Sequence, residues 1–169
     1  QVIPDIVTLG KPMGNGHPIA AVVTTDKIAS SFNNGMEYFN SFGGNPVSCA
    51  VGKSVLEVIE NEKLQENALN VGKYFLNKLE KIKLKNKKYI SEVRGRGLFI
   101  GIDIIKNSNH LEPNNQLAKK IINFMRDKGI LLSTDGPYDN VIKIKPPLVF
   151  NKENVDKVCE SLDNFFRKI

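Results

Sequence analysis

Apolar residues fall along this chain in two rhythms. Leu64, Ala68, Val71, Phe75, Leu79 and Ile82 recur at steps of three and four, the period that lines one face of an α-helix. Asn61 stands ahead of this run and reads as the cap that opens it. The same period sets Val155, Val158, Leu162 and Phe165 on one face of a last helix capped by Asn151. Residues 114–128 predict a helix that stops at Gly129. Asn45-Pro46 predicts another start, with the amide capping and the proline in the first helical position, for a helix running to about residue 60. Residues 26–32 read as a short helix. The stripe from Leu64 to Ile82 reads as core packing rather than cofactor contacts.

Short unbroken apolar runs read as strands. Residues 3–9 predict a buried strand and residues 19–24 another, with a loop between them. Residues 98–105 are apolar on both faces except at Gly101 and Asp103, which predicts a strand covered on both sides. Residues 130–133 and 141–145 read as two more, separated by the turn Asp135-Gly136-Pro137. Arg94-Gly95-Arg96-Gly97 occurs once and reads as a tight turn between strands, not as an RNA-binding repeat. Residues 33–45 form a polar, glycine-bearing loop interrupted by aromatics. The order predicts an α/β segment followed, from about Asn61, by a small α+β domain.

The net charge of +6 comes largely from six lysines between Lys78 and Lys88. Only Tyr89 is aromatic nearby, so the stretch reads as a solvated helix end rather than a nucleic-acid surface. No run approaches the length of a membrane span. Cys49 and Cys159 fall among apolar residues of predicted helices with no CxxC spacing, which predicts buried, reduced thiols and a reducing compartment. His17, between Gly16 and Pro18, has no partner at ligand spacing and reads as structural, with no metal implied.

Lys11 is the chemically informative residue. An apolar run stops at this lysine, between Gly10 and Pro12, and a loop with two glycines and two prolines follows. Free lysine, with a pKa near ~10.4, is unprotonated in only about one copy in a few thousand at neutral pH. Burial and a nearby cation or cofactor lower that value and create a nucleophile. Two readings stand: a lysine capping a strand end, and a lysine that forms an imine. A nucleotide phosphate loop is excluded, because Pro12 stands where Ser or Thr is required and the earlier glycine is missing.

Four stretches together resemble the class-III aminotransferases, pyridoxal-phosphate enzymes of fold type I. They are residues 4–25, residues 38–46, Val93-Arg94-Gly95-Arg96-Gly97-Leu98-Phe99, and Ile142-Lys143-Ile144-Lys145-Pro146-Pro147-Leu148, in order across essentially the whole chain. The resemblance implies the C-terminal part of such an enzyme, beginning abruptly at Gln1 and inactive alone. Residues 1–60 would end the large α/β domain that binds pyridoxal 5'-phosphate, and residues 61–169 would form the small C-terminal α+β domain. Lys11 matches the Schiff-base lysine, which binds the cofactor aldehyde, is displaced by the substrate amine and then moves the Cα proton. Gly14 and Gly16 would let the backbone pass close to the cofactor or a partner subunit. Ser41 stands where the family usually has Thr, whose hydroxyl and backbone reach the cofactor phosphate of the neighbouring subunit; the other reading is an ordinary loop serine.

Lys143 falls where many members carry the Arg that forks onto a substrate α-carboxylate. Lysine acts there as a point charge. With this departure, and with the wording of residues 10–18 and 35–40, the chain resembles the phospho-lyase branch of the family. The implied function is a phospho-lyase acting on a small amine such as phosphoethanolamine, with Lys143 on the substrate. A true transaminase resembling alanine–glyoxylate aminotransferase is the alternative, and a non-catalytic dimerisation module a third; Lys143 would otherwise line a strand end in solvent. A homodimer or higher homo-oligomer in the cytoplasm or mitochondrial matrix follows from the same resemblance, with neither nucleic acid nor membrane as partner.

Overall fold

The structure, a computed structural model, describes residues 2–107 and 111–169. The chain divides into two compact units, Gln1–Glu62 and Lys63–Ile169.

In the first unit β1 (Ile6–Leu9) pairs antiparallel with β2 (Ala21–Thr24), Ile6 lying opposite Thr24 and Leu9 opposite Ala21. The expected buried strand is therefore shorter than residues 3–9, and all four of its residues are exposed. A two-stranded ribbon has no second layer to cover either face. α1 (Asp26–Phe32) and α2 (Pro46–Asn61) follow. The Asn45 cap forms as its sequence requires, its side chain accepting the Ser48 N–H at 2.9 Å. Gly14, Ser48 and Gly52 are the buried residues among those described here, so Cys49, expected to be buried, is exposed. It sits one helical position beyond Ser48, on a different face.

In the second unit α3 (Leu64–Lys85) lays Leu64, Val71, Phe75, Leu79 and Ile82 into the core. Asn61 does not cap this helix. It is the last residue of α2, and the break falls at Lys63, whose φ of 52° turns the chain in the left-handed region. The sheet runs in the order β3-β4-β6-β5, antiparallel throughout, from β3 (Ile90–Arg96), β4 (Phe99–Ile104), β5 (Ser133–Asp135) and β6 (Val141–Ile144). α5 (Lys152–Phe166) carries the side-chain cap expected of Asn151, and α4 (Asn115–Asp127) is capped by Asn114, which the sequence reading places inside the helix. With α3 they cover one face of the sheet, where Ile100, Ile102, Ile104, Ile142 and Ile144 are buried among helix residues.

Three strand expectations change. Arg94-Gly95-Arg96 is not a turn but the end of β3, and the chain reverses at Gly97, with φ 56°, and Leu98. β4 is covered on one side, not both: Ile100, Ile102 and Ile104 alternate with an exposed Phe99 and half-buried Gly101 and Asp103. β5 begins at Ser133, where the expected strand ended, because its pairing is set by β6 across the turn.

Gly72 fixes how the helices meet this hairpin. A Cβ there would lie 2.1 Å from the Gly97 carbonyl oxygen, so α3 touches the β3–β4 turn backbone to backbone. The lysine-rich end of α3 is solvated and paired: Lys78 contacts Asp156, Lys83 reaches Glu80 at 2.8 Å and Lys85 reaches Asp163 at 3.6 Å. Among the described residues no helix is long and apolar enough to cross a membrane.

Candidate active site

The loop after β1 is a string of tight turns. Pro12 is pre-set for the single 3₁₀ turn Lys11–Gly14, Met13 N–H donates to Gly10 O at 3.2 Å, and Asn15 N–H donates to Pro12 O at 3.0 Å. Lys11 itself holds φ 42°. A side chain in that region crowds its own backbone, a cost of roughly 1–2 kcal/mol that persists only where surrounding structure imposes it. Such outliers concentrate at functional sites. The Lys11 ammonium is exposed and has no ion-pair or hydrogen-bond partner among the described residues. Gly14 is buried against Ile19, whose Cγ2 would sit 2.7 Å from a Cβ at that position. Close packing within the loop thus already requires this glycine.

A polar chain ties the lysine loop to the loop containing Ser41. His17 Nε2 lies 2.7 Å from Ser48 Oγ. Asn45 Nδ2 donates to the same hydroxyl at 3.0 Å and to Phe42 O at 2.8 Å. Asn40 Oδ1 accepts from Phe42 N–H at 3.0 Å and from Gly43 N–H at 2.7 Å. Ser41 lies inside this braced turn, exposed, with its hydroxyl unpaired among the described residues. His17 thereby joins the lysine loop to the first turn of α2. Ser48 is one residue that sequence reasoning missed. Its signal was position alone, three residues after a capping Asn, where the cap accepts its N–H and the hydroxyl is shared between Asn45 and His17.

Lys143 belongs to the second unit, on the sheet face turned away from the helices. Its strand neighbours are Gly101 on β4 and Ser133 on β5. Its Nζ donates to Asp135 Oδ2 at 2.7 Å. That hydrogen bond, followed by one from Gly136 N–H at 2.9 Å, holds the Asp135 carboxyl below the usual carboxylate range. The pair borders a cleft of about 360 Å³ lined by Arg94, Arg96, Phe99, Gly101, Asp135 and Lys143. Arg94 is engaged by Glu92 at 2.6 Å and Asp103 at 3.5 Å. Lys145 Nζ stands 5.7 Å from the centre of the Phe99 ring. Cations and carboxylates are thus interleaved on this face, and no group of residues suited to a metal ion occurs among the described residues. The two arginines escape sequence reasoning because Arg-Gly-Arg-Gly reads as a turn.

Comparison with known proteins identifies the family. The model of the aminotransferase class-III family matches residues 1–166. A Drosophila melanogaster protein named alanine–glyoxylate aminotransferase 2-like is 49% identical over 159 residues, 93% of this chain and 32% of its own length. A Caenorhabditis elegans protein named ethanolamine-phosphate phospho-lyase homolog 1 is 44% identical over 162 residues, 95% of this chain and 34% of its own length. Among solved structures, a phospholyase from Arthrobacter in complex with phosphoethanolamine matches with a TM-score of 0.93 at 45% identity, covering 99% of this chain and 40% of that one. The chain thus spans about a third of the length of the curated relatives it matches.

Proposed function

Because the chain belongs to the class-III aminotransferase family, we propose that the full-length protein is a pyridoxal-phosphate enzyme that removes phosphate from a small phospho-amine. The residues present fit that cofactor. Lys11 offers an ammonium and Ser41 a hydroxyl, both unpaired among the described residues, the first on a backbone held out of its ordinary conformation and the second in a loop braced on both sides. When bound, the cofactor would supply an electron sink for the carbanion left at the substrate carbon beside the amine.

The chain's own residues would divide the remaining work. Lys11 Nζ would anchor the aldehyde, yield to the substrate amine, and as a free amine take the proton from the carbon it then faces. Ser41 Oγ would donate to the cofactor phosphate of a second copy, which makes the active protein a homodimer or larger. Lys143 would hold the anionic end of the substrate, with Asp135 fixing its ammonium in place.

The observation that carries the lyase reading is the Lys143–Asp135 pair at 2.7 Å. An ammonium already engaged by a carboxylate cannot supply the planar two-bond fork that suits an α-carboxylate. A phospho-amine without that carboxylate has no need of the fork, and a departing phosphate gains from nearby positive charge. The names of the C. elegans relative and of the Arthrobacter structure support the same reading. The Drosophila relative, at 49% identity, favours a transaminase instead.

The test is made on the full-length, cofactor-loaded protein. Borohydride reduction followed by peptide mapping should place the pyridoxyl group on Lys11. Phosphoethanolamine should then release inorganic phosphate with no keto acid present. Label on another lysine would refute the role of Lys11. Absence of phosphate release, with ready reaction of alanine and glyoxylate, would replace the lyase by the transaminase.

A further inference from the structure

We propose that Arg96 is the specificity-determining cation of this cleft, binding the substrate's terminal oxyanion together with Lys143. On the phospho-amine reading, from which the inference proceeds, that oxyanion is the phosphate.

Strand register lays out the cleft in two rows. Arg94, Gly101 and Lys143 are cross-strand neighbours in one row, and Arg96 lies opposite Phe99 in the next. Adjacent strands lie ~4.8 Å apart, so Arg94 and Lys143 stand on either side of a gap of roughly 10 Å. Gly101 leaves that gap without a side chain, and a Cβ there would already press on Val141 Cγ1 at 3.2 Å. The result is a trough floored by backbone, with Phe99 as an apolar shoulder on the Arg96 side.

The cations around the trough are not equivalent. Arg94 is held by Glu92 and Asp103. Lys143 gives one of its N–H groups to Asp135 and keeps the others. Arg96 lines the same cleft with no carboxylate and no hydrogen-bond acceptor among the described residues. A guanidinium presents its N–H donors in a fixed fork that matches two oxygens of a phosphate or carboxylate at once. The guanidinium on β3 and the Lys143 ammonium on β6 line the same cleft. One side chain thus supplies direction and the other supplies a movable point charge. An oxyanion seated between them would meet unengaged donors from both sides, whereas one seated on Arg94 would have to displace two carboxylates.

The test uses the full-length enzyme loaded with cofactor, so that the cofactor's own phosphate site is filled. Phosphate release from phosphoethanolamine is followed in wild type, Arg96→Gln and Arg96→Lys, with inorganic phosphate as a competing inhibitor. Binding of inorganic phosphate is also measured directly by calorimetry. Arg96→Gln should raise KM and the inhibition constant of phosphate by about tenfold or more, as expected for loss of a charge-assisted contact. Arg96→Lys should recover part of that loss, and borohydride labelling of Lys11 should be unchanged in both variants. KM, inhibition and calorimetric affinity within twofold of wild type in Arg96→Gln would overturn the proposal. If the wild type instead transaminates alanine with glyoxylate and ignores phosphoethanolamine, the lyase reading is lost. Arg96 then stands if Arg96→Gln raises KM for alanine and weakens phosphate inhibition, and falls if it does neither.

Discussion

Replacing Gly72 by alanine should destabilise the second unit even though it improves the helix. Glycine inside a helix costs about 1 kcal/mol relative to alanine, so propensity alone argues for a gain. Against this, the new methyl group would lie 2.1 Å from Gly97 O, 2.4 Å from its carbonyl carbon and 2.7 Å from its Cα. Favourable contact needs ~3.5 Å, so α3 and the β3–β4 turn must separate by roughly 1.4 Å. Overpacking costs about 1–3 kcal/mol, and the upper end applies here because the obstacle is backbone rather than a rotatable side chain. The balance is a net loss on the order of 2 kcal/mol, or about a 30-fold shift in the opening equilibrium. Native-state hydrogen exchange read at the β4 amides isolates this unit from the other. Those amides should exchange about 30-fold faster in Gly72→Ala. Unchanged or slower exchange would show that propensity outweighs the clash and would refute the reasoning. Because Gly97 directly follows Arg96, the same variant should also disturb the cleft.

Ser41→Ala in the full-length protein should weaken cofactor retention by about one to two orders of magnitude, the worth of one charge-assisted hydrogen bond, in a dialysis or dilution assay. Unchanged retention would remove Ser41 from the cofactor site. Burial pushes the Cys159 thiol up to about 12, from 9.0 for an ordinary thiol, so the folded form keeps a proton that the unfolded form loses. Ionisation therefore opposes folding: stability is unaffected below pH 9.0 and falls as pH rises towards 12, by on the order of 4 kcal/mol in all. Between pH 9 and 11 the unfolding free energy of wild type should therefore fall more steeply than that of Cys159→Ala. Iodoacetamide at pH 8 should label Cys49 and spare Cys159.

Where a local rule was sufficient, the sequence alone determined the outcome. Asn45-Pro46 and Asn151 start helices because a short polar side chain satisfies N–H groups a few residues away. The stripe from Leu64 to Ile82 finds the core because helical period and apolar burial agree along all of α3. Local rules gave the wrong answer at Asn61, where a capping residue lies inside α2 and the chain turns at Lys63 without a glycine to announce it. They were also insufficient for Cys49 and Cys159, whose apolar neighbours look alike while helix phase and tertiary cover leave one exposed and one buried.

The candidate site divides along the same line. Lys11 was legible because glycine and proline punctuate a strand end, yet its left-handed backbone and the His17–Ser48–Asn45 tie were not. Lys143 was legible as a departure from a family word, whereas its partner Asp135 and its neighbours Arg94 and Arg96 were not. Those neighbours come together through strand register, Gly101 lying between Arg94 and Lys143, and register is fixed by which faces the helices bury. A sequence records which residues can cap, alternate or bend. Only the folded sheet decides which charges share a cleft, because cross-strand neighbours as distant in sequence as Gly101 and Lys143 are chosen by packing and not by adjacency along the chain.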